Sequence, residues 1–522
     1  MSLLPDTATR SAEGHLCLGG CDTVDLVHQY GTPLYVYDQA TLRNAAQHYR
    51  TALEKHYSPF TIAYAAKAYL CTALARLWAE EGLGLDVVGP GELETALRAG
   101  FPPQRIHLHG NNKPPALLAR AIEAGVGCIV IDGWHDFENL ANVMRTHTFA
   151  RQTPNVKRQT SNVKCQTSVG AGLRTRPRTR PTPVWLRLSP GIDAHTHAYR
   201  KTGLVDSKFG FPIATGDAAR AVARALADPN LELRGLHAHV GSQILEPGPL
   251  VACAEVLIDF AAQMRDRHGW VPEELSPGGG WGVAYTPEQP DLPPETYIAP
   301  MCAAIVACCQ AHGLPLPHLV VEPGRSLVAR AGVALYTVGG RKEIAGGGRA
   351  QSLAPTTANR RGGTPCPPNG APPRRIYVAL DGGLADNPRP ALYGAQYTAL
   401  CADREGEREI LRRSERVPRA PQNDRRGRSI ILSKAKNLAP TERVTLCGPF
   451  CESGDLLARD VTLPALQPGD LVAVPVSGAY HLAMASAYNG FPRPAVVMVA
   501  DGHSRPIQRR ETVDDLLCRD VG

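Results

Sequence analysis

TIAYAAK (61–67) is an apolar run of strand length that ends on a lysine, and seven more runs of the same build follow it. They read LGLDVV (83–88), RIHLHG (105–110), CIVIDG (128–133), VWLRLS (184–189), RGLHAHV (234–240), ELSPGGG (274–280) and HLVVEPG (318–324). Between them lie stretches such as GELETALRAG and ALLARAIEAGVG, apolar at the intervals of a helix face. Eight strand–helix units between Phe60 and Arg325 predict a parallel (β/α)8 barrel of the TIM type, which carries its chemistry at the C-terminal strand ends. Lys67, His109, His239, Gly278 and Glu322 all fall at such ends.

Outward from the barrel the pattern changes. After Arg325 come strand-like runs with few long helical stretches between them: SLVARAGVALYTVGG, RIYVALDGG, VTLCGPF, DLVAVPVSGAY and PAVVMVADG. They predict a mostly β C-terminal domain, a barrel or sandwich. TPLYVYD (32–38) precedes the first barrel strand and is expected to join that β domain. The expected division is 1–36 for an N-terminal segment, 37–322 for the barrel and 323–522 for the β domain. Three segments fit neither pattern and are expected to be surface inserts. Residues 151–182 hold a seven-residue repeat (RQTPNVK, RQTSNVK, CQTSVGA) and RTRPRTRPTP; 340–374 are rich in Gly, Pro and Arg; 404–440 are Arg-rich, with room for a short helix. Such compositions bury too little apolar surface to order a chain.

At 522 residues the chain exceeds one ordinary domain, and 43% hydrophobic against 20% charged residues supports a sizeable core. No run approaches the roughly 18 apolar residues of a membrane span. MSLLPDTATRSAEG lacks the basic start and apolar run of a secretory signal, so a cytoplasmic protein is expected. Fourteen scattered cysteines without paired CxxC spacing are expected to be reduced and mostly buried. The net charge of +7 does not mark a nucleic-acid binder. Residues 151–182 alone hold eight Arg or Lys and no acid, more than the whole excess. Basic residues that read nucleic acid sit on the folded scaffold, interleaved with aromatics or along a helix face. Neither nucleic acid nor membrane is expected as a partner.

A lysine, a histidine, two glycine-rich turns and an acid at strand ends together suggest a site for a phosphorylated aromatic aldehyde, pyridoxal 5'-phosphate. That cofactor needs a lysine to carry it, a partner for its pyridine nitrogen and a phosphate cradle. Lys67 closes an apolar strand, which would desolvate its amine and favour the neutral nucleophile. Glu322 follows HLVV, where a carboxylate would keep the ring nitrogen protonated. Gly278, Gly279 and Gly280 would let backbone N–H groups approach a phosphate, although such a triplet also fits a plain tight turn. His239 would stack on the ring; a lone histidine equally fits a satisfied core position.

Around these motifs stand YGTPLYVYD, GLGLDVVGPGEL, HGNNK, HTHAYRKTGLVDSKFGF, GLHAHVGSQI, EPGRS, DNPRPALYGA, GPFCES, SGAY and ASAYNGFPRP. In these the chain resembles the diaminopimelate decarboxylases, within the alanine-racemase-like (fold-type III) group of pyridoxal-phosphate enzymes, from Leu16 to about Val499. The resemblance implies decarboxylation of meso-2,6-diaminopimelate to L-lysine. It implies Lys67 as the cofactor's lysine, His239 against its ring and Glu322 at the pyridinium. Ser242, Gly278, Gly279, Gly280 and Gly324 would hold the phosphate, and Arg325 would also contact the cofactor. Arg325, Arg389 and Tyr393 would hold substrate, chiefly its distal carboxylate, and Tyr480 would contact cofactor and substrate. Cys451 would be the proton donor and Glu452 a substrate contact, both reaching the site from the neighbouring subunit of a homodimer. No metal is implied.

The chain departs from the family pattern at three places. GPGEL replaces a serine-containing turn, LSPG stands where Asn often precedes Pro-Gly, and ALYGAQY lacks the usual histidine after the tyrosine. Two arginines suit a remote carboxylate, because bidentate charge-assisted hydrogen bonds match its geometry. Other readings stay open from sequence: a related decarboxylase of arginine, ornithine or carboxynorspermidine, or a catalytically silent homologue.

Overall fold

The computed structural model describes residues 3–150, 181–192, 207–344, 374–404 and 441–521, with backbone only for 146–150. Most of the three expected inserts, the short helix expected in the last of them, and most of HTHAYRKTGLVDSKFGF lie outside these residues. The chain divides into two compact units. One comprises Leu42–Ala284 and Glu288–Ala329; the other comprises Met1–Thr41, Tyr285–Pro287 and Arg330–Gly522.

The first unit is the eight-stranded barrel. Its strands are β1 (Phe60–Ala65), β2 (Gly84–Val87), β3 (Ile106–Leu108), β4 (Cys128–Ile131), β5 (Thr182–Ser189), β6 (Leu231–Ala238), β7 (Glu274–Gly278) and β8 (His318–Val321). Each pairs in parallel with the next, and Leu319 of β8 lies opposite Phe60 of β1, which closes the ring. Ala63, Cys128, Val130, Trp185 and Val320 form part of its apolar filling. The sequence sets the intervening helices with the usual punctuation. Proline opens Pro90–Arg98, Pro115–Ala124 and Pro294–His312, where its missing N–H costs nothing. Gly125 and Gly313, at φ +73° and +62°, close the last two in the left-handed conformation that a side chain would resist.

The second unit is built on a mixed sheet. Its strands run in the order Leu456–Pro464, Thr441–Cys447, Arg375–Leu380, Gly332–Ile344, Leu34–Asp38, Ala495–Ala500 and His503–Gln508. Leu471–Val474 also pairs with Gly332–Ile344 and with Leu400–Cys401. Leu34–Asp38 lies between strands from the other end of the chain, as TPLYVYD led us to expect. Period-two alternation splits it: Leu34 and Val36 enter the apolar core with Val333, Leu335, Ala473 and Val497. Tyr35 and Tyr37 project to the other side, and both hydroxyls find buried partners.

The insert boundaries need correction. Gly340–Ile344, placed in the expected insert, instead form an antiparallel ladder with the expected strand Arg375–Ala379, with Ile344 opposite Arg375. Arg341, Glu343, Arg374 and Glu442 interlock as ion pairs across it, so a polar composition marks an exposed ladder here. Thr182 is buried in β5, and Arg404 binds Asp470 at 2.6 Å. Both belong to the folded units.

All twelve described cysteines are free; most are buried or half-buried, and Cys451 and Cys518 are exposed. Among the described residues, no helix is long and apolar enough to cross a membrane.

Candidate active site

Three neighbouring barrel strands build one carboxylate. His237 on β6 and Ser276 on β7 lie directly opposite each other, and Glu322 follows the last residue of β8. Ser276 Oγ donates to Glu322 Oε1 at 2.6 Å, and His237 Nε2 lies 3.1 Å from Oε2. All three are buried. Burial alone would raise the Glu322 carboxyl. The His237 and His109 rings, with the bonds from His237 and Ser276, outweigh it and hold the group well below the usual carboxylate range. Burial, only partly offset by the Glu322 carboxylate, holds His237 below its ordinary value. The His109 ring meets His237 edge-on at 4.9 Å, and Asp86 lies 3.6 Å from His109 Nε2 and 3.0 Å from His107 Nδ1. Glu322 is thus a buried acid that remains ionised.

Other expected residues stand at neighbouring strand ends. His239 is half-buried one residue past β6; burial, reinforced by the Lys67 and Arg187 cations, pushes its ring well below the ordinary value. Its Nδ1 accepts from Gly279 N–H at 3.4 Å, while Gly278 N–H donates to Ser276 Oγ at 3.1 Å. Two of the three glycine amides therefore serve the protein's own groups, against the expectation that the whole triplet faces an anion. The glycines themselves are required. A Cβ at 279 would strike the Glu322 carbonyl, and one at 280 the Gly241 carbonyl. Arg325 is buried and donates from Nη2 to Ser242 Oγ at 3.0 Å. Gly324 sits against Ala65, where a Cβ would come within 3.1 Å of the alanine's own. Lys67 follows β1 in a short 3-10 turn, exposed between buried Ala66 and Ala68. The GPGEL departure leaves the following helix capped. Glu92 reaches back to Val88 N at 2.6 Å and Gly89 N at 3.4 Å, satisfying N–H groups that a serine would otherwise serve.

The remaining expected residues belong to the β unit. Arg389 opens a five-residue helix, Arg389–Tyr393, and is only 2% exposed. Its guanidinium lies over the Tyr285 ring at 4.6 Å and donates to the Tyr397 hydroxyl. Among the described residues no carboxylate pairs with Arg389. Tyr393 is half-buried at the end of the same helix. Tyr480 adopts φ +61° and Val476 φ +57°, two non-glycine residues in the left-handed region within one turn, a strain typical of functional loops. Cys451 is exposed, with its N–H on Asn489 Oδ1 at 3.1 Å, and Glu452 accepts from the Tyr488 hydroxyl at 2.8 Å. Asp455 anchors their turn by accepting from Phe450 and Leu384 N–H groups at 2.9 and 2.7 Å.

Sequence reasoning missed His237, Ser276, Tyr285, Asp386, Tyr397 and His481. LHAH carries a signal for the first, since residues two apart share a strand face. Ser276 was visible only as a departure from pattern. Tyr285 and His481 reach Arg389 and Tyr397 across about a hundred residues of sequence, where no local spacing reveals the contact.

A family model of the pyridoxal-dependent decarboxylases, pyridoxal-binding domain, matches residues 39–329. The chain is therefore a pyridoxal-dependent decarboxylase by family. It is 36% identical over 518 residues to the diaminopimelate decarboxylase of Bacillus subtilis, covering 99% of this chain and 98% of that one. With the diaminopimelate decarboxylase of a Synechocystis species it shares 37% over 532 residues, covering 99% and 93%. The crystal structure of diaminopimelate decarboxylase from M. jannaschii in complex with L-lysine superposes with a TM-score of 0.74, at 25% identity over 99% of this chain and 98% of that one. The chain belongs to the diaminopimelate decarboxylase family.

Proposed function

We propose that the protein decarboxylates meso-2,6-diaminopimelate to L-lysine and carbon dioxide, the last step of lysine biosynthesis, as a cytoplasmic pyridoxal-phosphate enzyme. The observation that carries the choice of substrate is Arg389, a buried cation that no described carboxylate neutralises. Leaving a buried guanidinium unpaired costs several kcal/mol, to order of magnitude, so a substrate with a second carboxylate is favoured over ornithine or lysine.

The barrel residues fit pyridoxal phosphate. Glu322 offers an ionised carboxylate for a ring nitrogen, and the packed glycine turn, with Ser242 beside Arg325, offers a close approach for a phosphate. When bound, the cofactor supplies an electron sink for the bond to the departing carboxylate. Lys67 would carry it, His239 would lie against its ring, and Glu322 would keep its ring nitrogen protonated. Ser242, Gly280 and Gly324 take the phosphate, with Gly278 and Gly279 shaping the turn and Tyr480 alongside. Arg325, Arg389, Tyr393 and Glu452 bind and orient the substrate, and Cys451 returns a proton to its carbon.

Arg389→Gln is expected to lower kcat/KM for meso-diaminopimelate about a hundredfold, the loss of roughly 3 kcal/mol for a charge-assisted contact. Steady-state kinetics on meso-diaminopimelate, ornithine and arginine check it. Faster turnover of ornithine or arginine by the unaltered enzyme would put the related decarboxylases in its place.

Cys451 and Glu452 are proposed to act in the partner subunit of a homodimer. Mixing inactive Lys67→Ala with inactive Cys451→Ala subunits is then expected to restore activity to about a quarter of the original. Random reassociation makes half of the dimers mixed, each with one intact site of two. Mixed dimers that form and stay inactive would show that the cysteine serves its own subunit.

A further inference from the structure

The ALYGAQY departure ends on Tyr397, and that residue sits in the middle of a buried hydrogen-bonded chain within the β unit. Its hydroxyl receives Arg389 Nη1 and lies 2.8 Å from His481 Nε2. The other His481 nitrogen, Nδ1, lies 3.2 Å from the Tyr35 hydroxyl, which donates to Asp386 Oδ2 at 2.9 Å. Tyr336 donates to the same oxygen at 2.5 Å, and Gly383 N–H donates to Asp386 Oδ1 at 2.8 Å. Every side chain from Asp386 to Arg389 is at least nine-tenths buried. The rings brace one another as well. Tyr397 meets Tyr285 edge-on at 5.1 Å and His481 at 5.2 Å, while Tyr285 supplies the face on which the guanidinium rests.

We propose that Tyr397, held by His481, is a positioning residue that fixes the Arg389 guanidinium in one orientation for the substrate's distal carboxylate. The proposal rests on Arg389 binding that carboxylate. A guanidinium recognises a carboxylate through a planar fork, so its value depends on the fork's angle being set before the ligand arrives. The Tyr285 side chain, which offers both its ring and a hydrogen bond, and the bond to the Tyr397 hydroxyl together set the guanidinium's orientation. Asp386 ends the chain at a backbone amide, so the orientation is referred to the fold itself and not to solvent. A phenylalanine at 397 keeps the ring contacts and removes one of the two hydrogen bonds that hold the guanidinium. Substrate must then order the guanidinium on binding, which weakens the ground state and the transition state alike. That signature is a rise in KM with kcat unchanged.

The experiment is a double-mutant cycle of Tyr397→Phe and Arg389→Gln in the holoenzyme, read as separate kcat and KM values for meso-diaminopimelate, with cofactor absorbance and Tm alongside. The expected result is a rise of about tenfold in KM for Tyr397→Phe, with kcat and absorbance within twofold of the unaltered enzyme. In the Arg389→Gln background the second substitution should add nothing, because it acts only through the arginine. An unchanged KM in Tyr397→Phe, beside a large loss in Arg389→Gln, would overturn the positioning role and leave the substrate reading standing. No loss in Arg389→Gln would overturn both. Equal effects of Tyr397→Phe in the two backgrounds, or a fall confined to kcat, would make it a packing residue and refute the proposal. Should Tyr397→Phe not fold, His481→Phe takes its place. It removes the nitrogen that holds the hydroxyl, and an unchanged KM there overturns the inference.

Discussion

Lys67→Ala is expected to abolish turnover, lowering kcat by at least about a thousandfold, because the only group proposed to carry the cofactor is removed. The position of the lysine makes the test clean. Lys67 stands exposed in a turn whose buried residues are alanines, so its replacement removes an amine and little packing. Tm should stay within a few degrees, as is usual for a substitution that leaves no cavity. Reduction of the unaltered enzyme with borohydride, followed by peptide mapping, should find the pyridoxyl group on Lys67. Its recovery on a different lysine would refute the assignment, whatever the kinetics of the alanine variant.

Glu322→Gln is expected to lower kcat by about a hundredfold to a thousandfold, an effect of roughly 3–4 kcal/mol for a charge aimed at the reacting system from a preorganised site. Glutamine keeps the volume and can still meet Ser276 and His237. What it lacks is the negative charge that the surrounding histidines maintain against the cost of burial. KM should change far less than kcat, because Glu322 is assigned to the cofactor and not to the substrate. Steady-state kinetics check the ratio, and a loss of less than about fivefold would show that the carboxylate is not needed for the chemistry.

The two halves of the molecule were unequally legible. Each of the eight apolar runs became a barrel strand, since a strand buried on both faces leaves a contiguous apolar signature bounded by turn residues. The strand-end positions of Lys67, His239 and Glu322 were legible because an apolar run fixes where its strand ends. The ionisation of Glu322 was not legible, because it depends on residues from two other strands that share no local spacing with EPGRS. Nor was the burial of Arg389, whose partner Tyr285 lies about a hundred residues away and whose partner Tyr397 is held in turn by His481. The exposed ladder at Gly340–Ile344 was read as insert because charged pairs on a strand surface resemble low-complexity sequence in composition.

One acid assembled from three strands also makes the site a checkpoint on the barrel's own construction. His237 and Ser276 meet because β6 and β7 pair in one particular register. A slip of one residue would turn either side chain to the opposite face of its strand. Glu322 would then lose a donor and, left with the desolvation of its site, would take up a proton. A misregistered barrel, however compact, would thus have an uncharged pocket floor and little hold on a protonated ring. With Glu322 assigned as proposed to the cofactor ring, the strength of cofactor binding would report whether consecutive strands closed in step.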